Sequence, residues 1–266
     1  IPQNENPIEF GNISAACSKI IKKSTIQEYK ANDITVDATW NFLVNKLSDL
    51  SGKKIIIFGA GNIGFKLSLK LVECGSEIIL ITRKNKNMDF VVKALNQIKS
   101  RGVLSSINIS SVEDICNHED VDIFIGCTNS SPIINQQEVK IMKKEGIIID
   151  LGKGTISENG IQECKKRGIQ TWRVDIAPML DSMVSASLSM KNLISNLYGK
   201  KDLKNGIRII SGGYLGEKYD AVVDNFNMPK AIIGICDSPG KFMEEHDDKS
   251  RKIIDYLNKY ITKNNK

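Results

Sequence analysis

The chain has 266 residues, enough for one large domain or two small ones with a sizeable core. Hydrophobic residues make up 41% and charged residues 26%, an ordinary balance for a soluble globular protein. The net charge of +6 is spread over scattered lysines, without a long basic block or a basic run with interleaved aromatics, which argues against nucleic acid as the main partner.

No apolar run reaches transmembrane length and no signal peptide is visible, so no membrane partner is expected. The six cysteines stand far apart with no C-x-x-C, which reads as reduced thiols in a cytoplasmic protein. With only His118 and His246 in the chain, no metal site is expected. The chain opens on Ile1 rather than Met, the reading of a fragment or processed chain.

Residues 1–33 read as irregular around Pro2 and Pro7, with a short helix over 14–23. Val36, Trp40, Leu43, Val44 and Leu47 recur at helical spacing, so 35–50 is predicted as a helix, capped by Asp33 or Thr35. Residues 48–52 then turn into the stretch around which the chain is organised. Ile55, Ile56, Ile57 and Phe58 form the short apolar run of a fully buried parallel strand. Gly59-Ala60-Gly61-Asn62-Ile63-Gly64 follows, a G-x-G-x-x-G that opens a helix ended by Gly75, and 78–81 make a second buried strand. In this context the motif is a dinucleotide site. Gly59 allows the tight turn, Gly61 lets a pyrophosphate approach the backbone, and Gly64 lets helix and strand pack closely. The helix start offers free N–H groups and a positive dipole end to the phosphates.

The end of the second strand selects the cofactor. An acid there would bind the ribose hydroxyls of NAD, but the residues are Thr82-Arg83-Lys84 and no acid follows before Asp89. Arg83 suits the 2′-phosphate of NADP as a bidentate donor, so NADP is the expected cofactor; an ordinary solvated basic loop is the alternative.

Residues 88–99 are predicted helical, 105–109 a third strand and 121–127 a fourth, whose exit loop carries Cys127, Thr128 and Asn129. Ligands in open α/β sheets lie outside the carboxyl ends of the strands, so these residues line the expected cofactor cleft, unless they form a plain Asn-Ser turn. A helix over 138–144, a fifth strand over 146–151, a helix over 161–167 and a sixth strand over 169–174 complete the pattern. The fold class is therefore α/β, a doubly wound parallel Rossmann-type sheet. Beyond it come a helix over 179–198, short β-like runs at 207–211, 221–223 and 231–236, and a final helix over 252–263: a small β-rich carboxyl-terminal module. The expected domains are an amino-terminal segment and linking helix (1–50), the dinucleotide-binding domain (51–178) and the helix with the β-rich module (179–266).

The D-L-S-G-K-K turn into the first strand, GAGNIG, TRK, GCTNSSPII and GIIIDLG together resemble the dinucleotide-binding domain of the shikimate/quinate dehydrogenase and glutamyl-tRNA reductase superfamily, over about residues 34–175. The resemblance implies NADP-dependent oxidoreductase activity on a small polar, carboxylated substrate. Shikimate dehydrogenases use a Lys and an Asp, the latter in an Asn-Thr-Asp before the linking helix. Thr35-Val36-Asp37 stands at about that place, with Thr for Asn, and no V-T-x-P-x-K is present. Asp37 is thus one catalytic candidate, although a first-turn helix acid favoured by the dipole is the preferred reading of it. Lys153, between two glycines on the exit loop of the fifth strand, would hold a carboxylate or donate a proton, or be an exposed turn lysine. Asp175, after the sixth strand, would serve similarly or bond backbone at a turn. Two other classes stay open. One is a non-catalytic nucleotide-sensing or interaction protein. The other is a glutamyl-tRNA-reductase-like enzyme, for which Cys17 is the one thiol in the amino-terminal segment. The expected partner is a small-molecule substrate, and the sequence is compatible with a homo-oligomer.

Overall fold

The computed structural model describes residues 13–82, 88–128 and 132–264. The chain divides after Asp181 into two compact units. The first contains α1 (Ile13–Ile20), α2 (Ala31–Leu47), β1 (Lys54–Phe58), α3 (Asn62–Glu73), β2 (Glu77–Ile81), α4 (Met88–Ile98), β3 (Ile107–Ser110), β4 (Val121–Gly126), α5 (Gln136–Lys140), β5 (Met142–Asp150), α6 (Glu158–Arg167) and β6 (Gln170–Trp172). A further helix, α7 (Ala177–Asn196), spans the division.

The six strands form one sheet in the order β3-β2-β1-β4-β5-β6, every pair parallel. This is the doubly wound order expected from the sequence. Because β1 lies between β2 and β4, the chain leaves β1 and β4 toward opposite sides, and a crevice opens at their carboxyl ends.

The apolar runs lack alternation because both sheet faces are covered. Ile55 and Ile57 of β1 pack with Ile78, Leu80, Ile123 and Ile125, under Leu43 of α2, Leu67 and Leu71 of α3 and Leu95 of α4. Ile56 and Phe58 point the other way, with Ile79, Phe124 and Ile148, toward Val139 of α5 and Cys164 of α6. Phe58 and Phe124 meet edge to face at 5.0 Å. Each fully buried side chain of this kind contributes about 1.5–3 kcal/mol.

Two boundaries differ notably from the sequence reading. α2 starts at Ala31 with Lys30 as its N-cap, so Asp33 and Thr35, the expected caps, lie inside the helix, where the Thr35 hydroxyl donates to the Ala31 carbonyl. The helix expected over 138–144 ends at Lys140, because Met142 is drawn into the buried cluster and pairs with Val121. The register then steps to Ile123↔Ile147, and Lys143, Lys144 and Glu145 stay exposed, with Glu145 at φ 63°.

The second unit holds β7 (Gly199–Asp202), β8 (Arg208–Ser211), β9 (Ala221–Val223), β10 (Ile232–Ser238), β11 (Lys241–Phe242) and α8 (Asp248–Asn264). Its sheet runs β11-β10-β9-β8-β7; β8 and β9 are parallel and the other neighbours antiparallel. Ile253 and Leu257 of α8 join Ile209, Val223 and Ile235 in its core. β7, Gly-Lys-Lys-Asp, carries no apolar signal; it forms as an edge strand paired with β8, and its lysines suit an edge. Among the described residues no helix is long and apolar enough to cross a membrane.

Candidate functional site

The crevice is built on the glycine turn after β1. Gly59 has φ 111°, donates its N–H to the Ile81 carbonyl at 3.0 Å, and would place a Cβ 3.0 Å from the Cys127 carbonyl. Gly64, in the first turn of α3, would place a Cβ 2.0 Å from the Gly59 carbonyl oxygen. Gly61 differs: it is exposed, and a Cβ there would meet nothing within 4 Å. Two glycines are therefore fixed by their neighbours, while the third faces open space. Ala60 and Ile63 pack back against the sheet cluster, whereas Gly61 and Asn62 are exposed. Gly61 is the N-cap of α3, no side chain caps it, and no acid occupies the first turn. The first N–H groups of α3 have no carbonyl within the helix to bind, so they and the dipole favour an anion here.

The neighbouring strand ends are locked together. Cys127 donates its N–H to the Phe58 carbonyl at 2.7 Å, and burial pushes its thiol up to about 12, so this sulfur stays a neutral packing group. A Cβ on Gly152 would fall 1.8 Å from the Thr128 carbonyl oxygen, and one on Gly126 2.6 Å from the Thr155 side chain. The Thr155 hydroxyl donates to the Thr128 carbonyl at 3.3 Å. Thr82 donates its N–H to the Ser110 carbonyl at 3.4 Å as the chain leaves β2. The expected cofactor contacts Arg83, Lys84 and Asn129 lie outside the described residues.

Asp150 organises the loop after β5. Its buried carboxylate accepts the N–H groups of Gly154 at 2.8 Å and Thr155 at 3.3 Å, and Arg173 stands 3.7 Å away. Neither Asp150 nor Arg173 was singled out from sequence. The available signal was an acid closing the apolar run Ile147-Ile148-Ile149, since a buried carboxylate must find donors.

The three catalytic candidates fall in different settings. Asp37, on α2, is ion-paired with Lys70 of α3, whose ammonium also lies 4.6 Å over the Trp40 ring. Lys153 is exposed, in the left-handed region at φ 60° between Gly152 and Gly154. Asp175 accepts the Ala177 N–H at 2.9 Å, at the start of α7. Asp175 borders a cleft of about 540 Å³ at the end of β6; Ala38, next to Asp37 in sequence, lines the same cleft, and Lys153 is not among its lining residues. Of the three candidates, only Asp175 lines this cleft; the Asp37 carboxylate is engaged by Lys70.

Residues 42–171 match the shikimate/quinate 5-dehydrogenase family. A glutamyl-tRNA reductase of Thermosipho melanesiensis is 28% identical over 122 residues, 46% of this chain and 31% of that protein. The match therefore spans about a third of the length of the curated relative. These two matches support the shikimate dehydrogenase and glutamyl-tRNA reductase superfamily for the dinucleotide-binding segment. Among solved structures, a dipicolinate synthase chain from Bacillus halodurans is 16% identical, covering 62% of this chain and 57% of that one at a TM-score of 0.46. Shikimate 5-dehydrogenase from Listeria monocytogenes, solved with shikimate and NAD, is 19% identical, covering 53% and 52% at a TM-score of 0.40.

Proposed function

We propose that this chain is an NADP-dependent oxidoreductase of the shikimate-dehydrogenase kind, acting on a small carboxylated substrate. One observation carries the reading. The turn after β1 packs two of its glycines against backbone and leaves Gly61 open at an uncapped helix start. That uncapped helix start suits a pyrophosphate, because its unpaired N–H groups and positive dipole end favour an anion and Gly61 leaves room for it to approach. NADP rather than NAD follows from the residues after β2, where Thr82-Arg83-Lys84 offers the 2′-phosphate cations and no carboxylate.

When bound, the nicotinamide supplies the hydride exchange. The chain's own residues do the rest. The glycine turn and the first N–H groups of α3 would hold the pyrophosphate, Arg83 would pair with the 2′-phosphate, and Thr128 and Asn129 would contribute from the loop after β4. Lys153 would attract the substrate anion, and Asp37 or Asp175 would orient a hydroxyl and exchange its proton.

A second reading, a nucleotide-sensing protein without catalysis, is favoured by the engagement of Asp37 with Lys70 and of Asp175 with the Ala177 amide. Titration of NADPH and NADH against wild type and Arg83→Ala, followed by a screen of hydroxy and amino acids by absorbance of the reduced ring, separates the two. Tight NADPH binding, weakened by Arg83→Ala, with turnover of a carboxylated substrate is the expected result. Binding without turnover of any substrate supports the sensing reading, and absence of nucleotide binding removes both.

A further inference from the structure

The cleft at the end of β6 has a chemistry that the cofactor reading does not use. Ala38, Asn41, Phe42 and Asn45 line it from one face of α2, at the i, i+3, i+4, i+7 spacing that puts side chains on one stripe. Opposite them stand Trp172, at the end of β6, and Met179 of α7. The Phe42 and Trp172 rings meet at 5.4 Å, tilted by 55°, so the walls are aromatic and apolar. Two cations sit on this cleft. Lys46 lies 5.0 Å from the Trp172 ring centroid, and Arg173 is largely exposed with its guanidinium tethered at 3.7 Å to buried Asp150. The one carboxylate in the lining, Asp175, already accepts the Ala177 amide. The Asn41 amide nitrogen is spent on the Asp37 carbonyl at 2.9 Å and the Met179 sulfur at 3.5 Å.

We infer that this cleft is a subsite for an organic carboxylate carried on an apolar ring. The cations would meet the carboxylate, Arg173 as a fork and Lys46 as a point charge. The ring would lie against Phe42, Trp172 and Met179, which give dispersion and aromatic contact but no hydrogen bonds. Ring hydroxyls turned toward these three walls would lose water without gaining partners, which disfavours polyhydroxylated rings. As a substrate site the cleft rests on the oxidoreductase reading and narrows it, with Arg173 and Lys46 rather than Lys153 taking the anion; as a binding site it stands independently.

The chain has two tryptophans, Trp40 and Trp172, so a Trp40→Phe protein reports on the cleft through Trp172 emission alone. Benzoate, cyclohexanecarboxylate, benzamide and shikimate are titrated with and without NADPH, and NADPH binding is measured separately by calorimetry. Benzoate and cyclohexanecarboxylate are expected to give saturable changes. Benzamide, which lacks the charge, and shikimate, which adds hydroxyls, are expected to bind at least ten-fold more weakly. A Lys46→Gln/Arg173→Gln protein, tested by calorimetry, is expected to lose at least ten-fold in benzoate affinity and keep its NADPH affinity. Benzamide or shikimate binding as tightly as benzoate overturns the inference. So does NADPH binding with no carboxylate response, a result that leaves the oxidoreductase reading standing. Carboxylate binding without NADPH binding supports the subsite and removes the oxidoreductase reading.

Discussion

Gly64→Ala tests the packing logic of the glycine turn most directly. The added methyl would sit 2.0 Å from the Gly59 carbonyl oxygen. A methyl carbon meets such an oxygen comfortably at about 3.3–3.6 Å, so α3 must retreat from the turn by roughly 1.3 Å. Both residues lie on backbone that the sheet and helix hold in place, which puts the cost near the upper end of the usual overpacking range, about 3 kcal/mol. Alanine returns about 1 kcal/mol as the better helix former. The net loss is about 2 kcal/mol, which at a urea slope of about 2 kcal/mol/M lowers the midpoint by about 1 M. Trp40 and Trp172 both lie in the first unit, so tryptophan emission follows its unfolding. Gly61→Ala is the internal comparison. It meets nothing within 4 Å and has an ordinary backbone conformation. Its stability should stay within about 0.5 kcal/mol of wild type, while NADPH affinity falls at least ten-fold because the methyl occupies the approach to the turn. Equal midpoints for Gly64→Ala and wild type, or a destabilised Gly61→Ala, would refute the division of roles among the glycines.

Other consequences can be checked separately. Asp150→Asn removes the charge that faces Arg173 and one of the acceptors of the Gly154 and Thr155 amides; a loss of about 1–3 kcal/mol is expected, with faster hydrogen exchange confined to 152–155. For Asp122, burial alone would raise the carboxyl, but the Lys54 amide at 2.9 Å and the Lys143 ammonium at 3.0 Å outweigh it and hold it below the usual carboxylate range. A carboxyl lowered in the folded state stabilises fully above its unfolded value and loses that contribution as pH falls through the folded one. The acid limb of urea stability below about pH 4 should therefore be shallower in Asp122→Asn, and an unchanged limb would contradict the assignment. Cys127, half-buried and with its thiol raised to about 12 by desolvation, should react with iodoacetamide more slowly in the native protein than exposed Cys116, as read by peptide mass spectrometry.

Much of the first unit was legible in the chain because its signals are local. The runs at Ile55–Phe58 and Ile78–Ile81 need no partner to be recognised: strands covered on both faces must be apolar throughout. Gly59 and Gly64 were legible for the same reason, since a left-handed turn and a close helix crossing admit little else. Together with the four later strands alternating with helices, these runs point to a doubly wound parallel sheet with its crevice at the carboxyl ends, the order the structure has. What the chain could not announce were features made by pairing at a distance. β7 carries no apolar pattern and exists because β8 offers it a ladder. The end of α5 was set by Met142 finding Val121, a partner 21 positions away, rather than by helix propensity. Asp150 and Arg173 became a pair only once β5 and β6 lay side by side, and the cleft joins Phe42 of α2 to Trp172 and Met179, more than a hundred positions away in the chain. Propensity and glycine spacing act over a few residues, whereas a charge partner or a cavity wall is defined by whichever strands and helices the buried core brings together.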